Sequence, residues 1–301
     1  MKKVVVLLST YNGEKYLQEQ LNSLYSQEGV ELHLIVRDDG STDKTHQILD
    51  ENQRQNLLTW YTGENKRPAW SFMDLVMKAP QSEYYAFCDQ DDVWLPDKLK
   101  IAISKLEEFP IDKPALYYGH PRLVNENLEF IKSPKSSYDK MLDFYSSMIN
   151  SNATGCTMVF NRALLELVRL KSPSYIAMHD GWFHKVCIVA GGNLYYDEDV
   201  HILYRQHGGN VIGSSNSLIK KIKQRLSSLK NKECIRSKTI ASLLECYGYL
   251  MSDEEKLIAE KVANYKNGIS ARAKLFFDCR IKTNYFRRNV LYHIAVFFGA
   301  F

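Results

Sequence analysis

The feature that most constrains this sequence is the regular alternation, through its front part, of short apolar runs with segments of helical periodicity. Val4–Leu8 is apolar throughout, and after Asn12-Gly13 the residues Leu17, Leu21, Leu24 and Tyr25 recur at helical spacing. Leu32–Val36 reads as a second strand, continuously apolar from Leu34, as expected of a strand covered on both faces. It ends at Asp38-Asp39-Gly40-Ser41, and a helix with Ile48 and Leu49 on its inner face follows. Leu57–Tyr61 predicts a third strand, Phe72, Leu75, Val76 and Ala79 a helix, and Tyr84–Cys88 the next strand. Strands that alternate with helices in this way build an open, mostly parallel α/β sheet. Such sheets bind ligands beyond the carboxyl ends of their strands. Polar clusters fall at three of those ends: Ser9 to Asn12, Asp38 to Asp43, and Asp89 to Asp92.

The middle of the chain is richer in strand patterns. Ala115–His120, Arg122–Phe130 (interrupted by Asn125-Glu126-Asn127) and Thr154–Phe160 read as strands. Asn161 can cap a helix running through Val168, and Asp180 can cap one from Trp182 to Ala190 that Gly191-Gly192 closes. Leu194–Tyr196 and His201–Arg205 are further short strands. From about Ser215 the character changes to helices rich in Lys, Leu and Ile. The expected organisation is an α/β catalytic domain over residues 1–215 and a basic helical C-terminal region over 216–301.

Charge separates these two parts. Residues 216–301 hold 17 Lys/Arg against 7 Asp/Glu, a net +10, whereas the first 215 residues hold 22 against 28, a net −6. An acidic front suits a site that holds a cation or handles hydroxyls. A basic tail suits an anionic surface (phospholipid, lipid-linked phosphate or nucleic acid) or simply a solvated helical face. Six scattered cysteines with no C-x-x-C pair argue against a disulfide framework or metal–thiolate site and for a reducing, cytoplasmic setting. Met1-Lys2-Lys3 precedes only five apolar residues, too few for a signal sequence or a membrane span.

The polar clusters carry the chemistry. In Phe87-Cys88-Asp89-Gln90-Asp91-Asp92-Val93-Trp94, three carboxylates within four residues repel one another unless a cation or protons intervene. Asp89 and Asp91 can reach one divalent ion, and hard carboxylate oxygens suit Mg²⁺ or Mn²⁺. The plainer reading is a solvated acidic turn with Asp92 as a helix cap. In Arg37-Asp38-Asp39-Gly40-Ser41-Thr42-Asp43, Gly40 permits a tight turn and Ser41 or Asp43 can cap the next helix. One of the two adjacent carboxylates is then left to accept a hydrogen bond from a base or ribose. Ser9-Thr10-Tyr11-Asn12-Gly13 offers hydroxyls, an aromatic face and a helix N-terminus to a nucleotide.

Together these residues resemble the family-2 glycosyltransferases of the GT-A fold. V-V-V-L-L-S-T-Y-N-G-E-K-Y-L, V-R-D-D-G-S-T-D and C-D-Q-D-D-V-W-L-P-D-K-L are similar to three ordered motifs of that family. The last, with Y-R-Q-H-G-G-N-V-I-G at 204–213, looks most like bacterial rhamnosyltransferase-type members. The resemblance spans roughly residues 3–213. It implies that Ser9, Thr10, Tyr11, Asp39, Asp89 and Gln90 line the donor-nucleotide pocket, with Asp38 supporting the loop. Asn65, Lys66 and Arg67 fall where relatives contact the donor. Asp89, Asp91 and His207 would hold the metal. Asp180, in Met178-His179-Asp180-Gly181-Trp182, would be the base, with His179 standing where relatives carry a second acid. A helix N-terminus is expected to lower the pKa of that carboxylate.

The reaction so implied is an inverting transfer of a sugar from a nucleoside diphosphate, dTDP-rhamnose first and UDP-galactose or UDP-glucose next. The acceptor would be a glycan or lipid-linked saccharide in bacterial surface-polysaccharide synthesis. A Mg²⁺-dependent phosphohydrolase and a basic surface-binding module are the rivals from other classes. Nucleic acid is disfavoured, because the tail lacks aromatic interleaving of a recognised module. Lys220, Lys221, Lys223 and Arg225, and Arg287-Arg288 before the apolar run Val290–Phe301, suggest either peripheral association with the inner face of the plasma membrane or packing, against the catalytic domain or in a homo-oligomer.

Overall fold

The computed structural model describes residues 1–131, 143–149, 153–208 and 234–301. Its centre is a seven-stranded sheet in the order β3-β2-β1-β4-β8-β6-β9. The strands are β1 (Lys2–Thr10), β2 (Val30–Asp38), β3 (Thr59–Thr62), β4 (Tyr84–Asp89), β6 (Ala115–Gly119), β8 (Val159–Asn161) and β9 (Asn193–Asp197). β1 pairs in parallel with β2 and β4, β2 with β3, and β6 with β9, while β8 runs antiparallel between β4 and β6. The sheet is therefore open and mostly parallel, with helices on both faces, as the strand–helix alternation predicts.

Alternation along β1 explains the layering. Val4, Val6 and Leu8 point to the face covered by α1 (Leu17–Tyr25) and α4 (Lys98–Leu106), where Leu17, Leu21, Leu99 and Ala102 complete one core. Val5 and Leu7 point to the other face, under α3 (Arg67–Lys78), α6 (Arg162–Arg169) and α7 (His179–Val189). The register aligns Ser9 with both Arg37 and Asp89, which brings the ends of β1, β2 and β4 level and gathers their polar clusters at one edge. A three-stranded sheet, β5 (Val93–Trp94), β10 (Ile202–Arg205) and β7 (Arg122–Val124), lies beside that edge and contributes Tyr204 and Arg205.

Several sequence expectations shift. The third strand begins at Thr59, because Asn56, with φ of +58°, still belongs to the turn that ends α2 (Thr45–Arg54). Arg122–Phe130 contracts to Arg122–Val124. Asn125 Oδ1 accepts from the Asn127 and Glu129 amides and turns the chain, leaving one bridge between Val124 and Phe130. The front of Thr154–Phe160 is a 3-10 turn, Gly155–Thr157, pressed under His179, and only Val159–Asn161 is strand. Asn161 caps α6 as expected, accepting from the Leu164 amide at 3.1 Å. Asp180 does not cap α7: the helix already includes His179, which puts Asp180 inside its first turn.

Helices at Ile235–Tyr247, Asp253–Asn264, Ile269–Phe276 and Phe286–Phe298 follow. Ile240, Leu243 and Tyr247 join the core beneath α6 and α7, where Tyr247 donates to the Leu167 carbonyl and its ring lies 6.0 Å from that of Trp182. The expected boundary at 215/216 and the cluster Lys220, Lys221, Lys223 and Arg225 lie outside the described residues. Among the described residues, no helix is long and apolar enough to cross a membrane.

Candidate active site

A cavity of about 300 Å³ opens where the three strand ends meet α7 and β10. Ser9, Thr10, Tyr11, Asp39, Asn65, Asp89, Gln90, Asp91, Asp180 and His207 all line it, so most of the sequence-predicted residues come together. Asp38 and Lys66 do not. Asp38 is fully buried behind the wall, and Lys66 turns outward to Asp74.

The strand-end loops are fastened to one another by hydrogen bonds. Gln90 Oε1 accepts from the Thr10 hydroxyl at 2.6 Å and the Tyr11 amide at 2.8 Å, while its Nε2 donates to the Tyr11 carbonyl at 3.2 Å. Gln90 therefore clasps the end of β1 to the turn after β4. Tyr11 is left about half exposed at the mouth. Gly13 passes so close beneath that a Cβ there would stand 2.6 Å from Gln90 Oε1. Ser41 and Asp43 serve the same fastening. The Ser41 hydroxyl accepts from the Asn12 amide at 2.8 Å, and Asp43 accepts from the Glu14 amide at 3.0 Å. Neither side chain makes a cap hydrogen bond at the Lys44 cap of α2, although Asp43 also accepts from the Thr45 amide at 3.0 Å.

Asp38 holds its loop from within. Burial alone would raise its carboxyl, but the Ser41 hydroxyl, His46, and the Ser41 and Gly40 amides outweigh that and bring it below the usual range. Gly40, at φ +84°, supplies the turn. Asp39 pairs with buried Arg37 and accepts from the Ser71 hydroxyl. Arg37 is also bound to Asp74 at 3.1 Å and to the Glu64 carbonyl at 2.9 Å, so the carboxylate at the cavity wall rests on a fixed cation.

The acidic turn after β4 is strapped from below by Arg205. Its amide donates to Asp92 Oδ1 at 3.1 Å, its Nε donates to the Asp91 carbonyl at 2.9 Å, and its guanidinium reaches Glu19 and the Glu126 carbonyl. Two residues on, His207 Nε2 meets Asp91 Oδ2 at 2.6 Å. Asp92 is neither solvated nor a cap. It is wholly buried, and burial with repulsion from Asp91 and Asp89 pushes its carboxyl up. Burial, then Asp91 and Asp180, push Asp89 up to about 7.

These residues fit a divalent cation in charge and donor type, since crowded acids pushed upward by one another are what a cation would relieve. Among the described residues, the candidate ligand atoms that cluster within 4.8 Å of one another belong to Asp89, Asp92 and Cys156. Asp91 and His207 form the neighbouring contact. Asp92 and Cys156 were not foreseen as members, because neither their spacing nor their residue types reveal that the turn buries them together.

Asp180 sits across the cavity on the first turn of α7 and is partly buried. Burial raises its carboxyl above the usual range, outweighing the Gly181 amide, Lys185 and the Gly155 amide, which lower it. The expected lowering by the helix N-terminus is therefore reversed. A raised pKa suits a proton acceptor better. His179, beside it, is buried against Phe72 and Phe87 and pushed down to about 3 by that burial, so it is neutral. Arg67, foreseen at the donor, does line the cavity. Pro68, Phe72, Thr154, Gly155, Met178, His179 and Tyr204 line it unforeseen. Phe72 and Tyr204 read in the sequence as ordinary helix and strand residues.

Comparison with known proteins agrees with this architecture. Residues 5–168 match the model of "Glycosyl transferase family 2". The chain is 28% identical over 244 residues to the dTDP-rhamnosyl transferase RfbG of Shigella flexneri, covering 75% of this chain and 80% of that one. It is 29% identical over 168 residues to the UDP-Glc:alpha-D-GlcNAc-diphosphoundecaprenol beta-1,3-glucosyltransferase WfgD of Escherichia coli, covering 54% and 61%. Among solved structures, S. aureus TarS 1-349 in complex with UDP-GlcNAc aligns with a TM-score of 0.59 at 18% identity, over 98% of this chain and 90% of that one. The mannosyltransferase PcManGT from Pyrobaculum calidifontis, in complex with GDP-Man and Mn²⁺, aligns at 0.54 and 18%, over 99% and 85%.

Proposed function

The chain belongs to glycosyl transferase family 2, and on that premise we propose that it moves a sugar, with inversion, from a nucleoside diphosphate to a saccharide hydroxyl. One observation carries the reading: Asp180 shares one cavity with Asp89 and Asp91, and its wall also includes Ser9, Tyr11 and Asp39. The base stacks at Tyr11 and hydrogen-bonds to Asp39, which Arg37 and Ser71 hold in place. The diphosphate lies toward Asp89, Asp91 and His207. Asp89, Asp91 and His207 would hold a divalent cation, Mg²⁺ or Mn²⁺, which would supply charge stabilisation for the leaving diphosphate. The acceptor hydroxyl lies against Asp180 and attacks the anomeric carbon in line. Asp180 takes its proton as the new bond forms, and the nucleoside diphosphate departs. Inversion requires one base and no protein nucleophile.

We propose dTDP-rhamnose as donor, supported by the similarity to RfbG, with UDP-hexoses second. A thermal-shift series with thymidine, uridine and guanosine diphosphates and Mn²⁺ tests this. Stabilisation by dTDP above UDP is the expected order, and the reverse order moves the assignment to a UDP-sugar. A glycan or lipid-linked saccharide of a surface polysaccharide is the proposed acceptor.

The last helix supports a membrane-side location. Its solvent face is apolar: Phe286, Val290, Leu291, Ile294, Phe297 and Phe298 are exposed, while Tyr292, Ala295 and Val296 pack inward. Residues 266–301 carry seven Lys/Arg and one acid, Asp278, which Lys261 and Arg280 engage. An anionic bilayer would take up the apolar stripe together with the surplus of basic residues in this segment. We therefore propose the cytoplasmic leaflet as the partner of this face, with a second copy of the chain as the alternative.

A further inference from the structure

A second, smaller cavity meets the first at Asp180. It holds about 180 Å³ between α7, the helix at Phe144–Ile149 and the helix at Ile235–Tyr247. Met178 and Asp180 line both cavities, so the carboxylate stands at their junction. Two cations, Lys185 and Arg236, line the smaller one, and Asp180 is the acid on its wall among the described residues.

Lys185 is the unusual group. It lies five residues beyond Asp180 on α7, is only 8% exposed, and has neither a hydrogen bond nor an ion-pair contact among the described residues. Burying an ammonium without a partner is costly, and a second cation facing the same space adds to the cost. Burial, offset in part by Asp180 and reinforced by Arg236, pushes Lys185 down to about 8. Arg236 donates from Nε to the Ile149 carbonyl at 2.9 Å, which anchors its stem at the rim. Unbalanced positive charge in a small cavity selects a compact anion, and a guanidinium beside an ammonium suits phosphate oxygens.

We propose that Lys185 and Arg236 form a subsite for a phosphate group carried by the acceptor. The inference rests on the transferase reading above: a hydroxyl deprotonated by Asp180 lies at the junction, so the rest of its molecule extends away from the donor, into the second cavity. The acceptor class is then a saccharide linked to phosphate or diphosphate, not a neutral glycan.

Phosphorus NMR of methyl phosphate, titrated into the full chain saturated with dTDP or UDP and Mg²⁺, tests the subsite. Saturable binding is expected, with Kd raised at least tenfold in both Lys185→Gln and Arg236→Gln and nucleotide affinity changed less than twofold. Arg236 is at the rim, so its variant remains informative if Lys185→Gln fails to fold. Absence of saturable binding, or equal binding by wild type and variants, overturns the subsite. A repeat without nucleotide keeps the result separate from the donor assignment, whose own failure shows as lack of nucleotide binding. Competition then identifies the source. An alkyl-diphosphate-linked sugar should displace methyl phosphate at least tenfold better than the matching neutral alkyl glycoside. Equal competition, or displacement by inorganic phosphate alone, assigns the subsite to a free anion and overturns the acceptor class.

Discussion

The imidazole of His179 lies face to face with the ring of Phe72, centroids 3.9 Å apart, directly before the proposed base Asp180. Phe87 closes the other side edge-on at 4.7 Å, and neither ring nitrogen has a hydrogen-bond partner among the described residues. Gly155 permits this packing, because a Cβ there would stand 2.5 Å from Nε2. An acid at this position would be an unpaired carboxylate among aromatic rings. His179→Glu is therefore expected to lower stability by about 3 kcal/mol or more, read as a shift in urea midpoint. A midpoint equal to wild type would show that the site tolerates a carboxylate there.

His184, fully buried and edge-on to Tyr118, gives a pH prediction. Burial pushes its imidazole down to about 3, against an ordinary value of 6.5. Below about 6.5 the unfolded chain takes up a proton that the folded chain refuses, so stability falls as pH drops toward 3. At pH 4.5 the loss from this group is about 2–3 kcal/mol relative to pH 7. Urea unfolding at both pH values should show a smaller pH difference for His184→Leu than for wild type. Parallel curves would mean that His184 is protonated when folded.

Asp91 touches His207 through its side chain, while Arg205 holds its carbonyl, so the carboxylate can be removed without releasing the turn. Asp91→Ala should keep its melting temperature within a few degrees, bind Mn²⁺ at least tenfold more weakly and lose transfer. Chelator should abolish wild-type transfer. Full wild-type activity in chelator would remove the cation from the account.

The terminal helix is tested by flotation with vesicles containing anionic lipid. Binding is expected at low salt, weaker at high salt, and lost when Phe286, Phe297 and Phe298 are changed together to Ser. A chain that stays unbound at low salt and instead sediments as a dimer would give this face to a second copy.

How much was legible in the sequence follows from where information is local. Val4–Leu8 and Tyr84–Cys88 are short, apolar and bounded by polar turns, so the strands and the cluster at each strand end could be read directly. Gln90 and Asp92 could not be assigned so well. Gln90 serves Tyr11 across the sheet, and Asp92 is buried by Arg205, far away in sequence. The direction of the Asp180 shift was misread for a similar reason. Its helix position is local information, whereas its burial comes from the elements packed around the cavity, which only tertiary packing supplies. Nothing local in the sequence sets Lys185 apart from any other helical lysine, and the second cavity exists only once the helix at Ile235–Tyr247 is docked.

The most direct test is turnover by Asp180→Asn under saturating donor, with release of nucleoside diphosphate and formation of glycoside followed together. The amide keeps the shape of the side chain but cannot take the proton. The account expects a fall on the order of 10²–10⁴ in rate, with donor affinity changed less than threefold and the product of the opposite anomeric configuration to the donor in wild type. Wild-type turnover by Asp180→Asn, or a product that retains configuration, would contradict it.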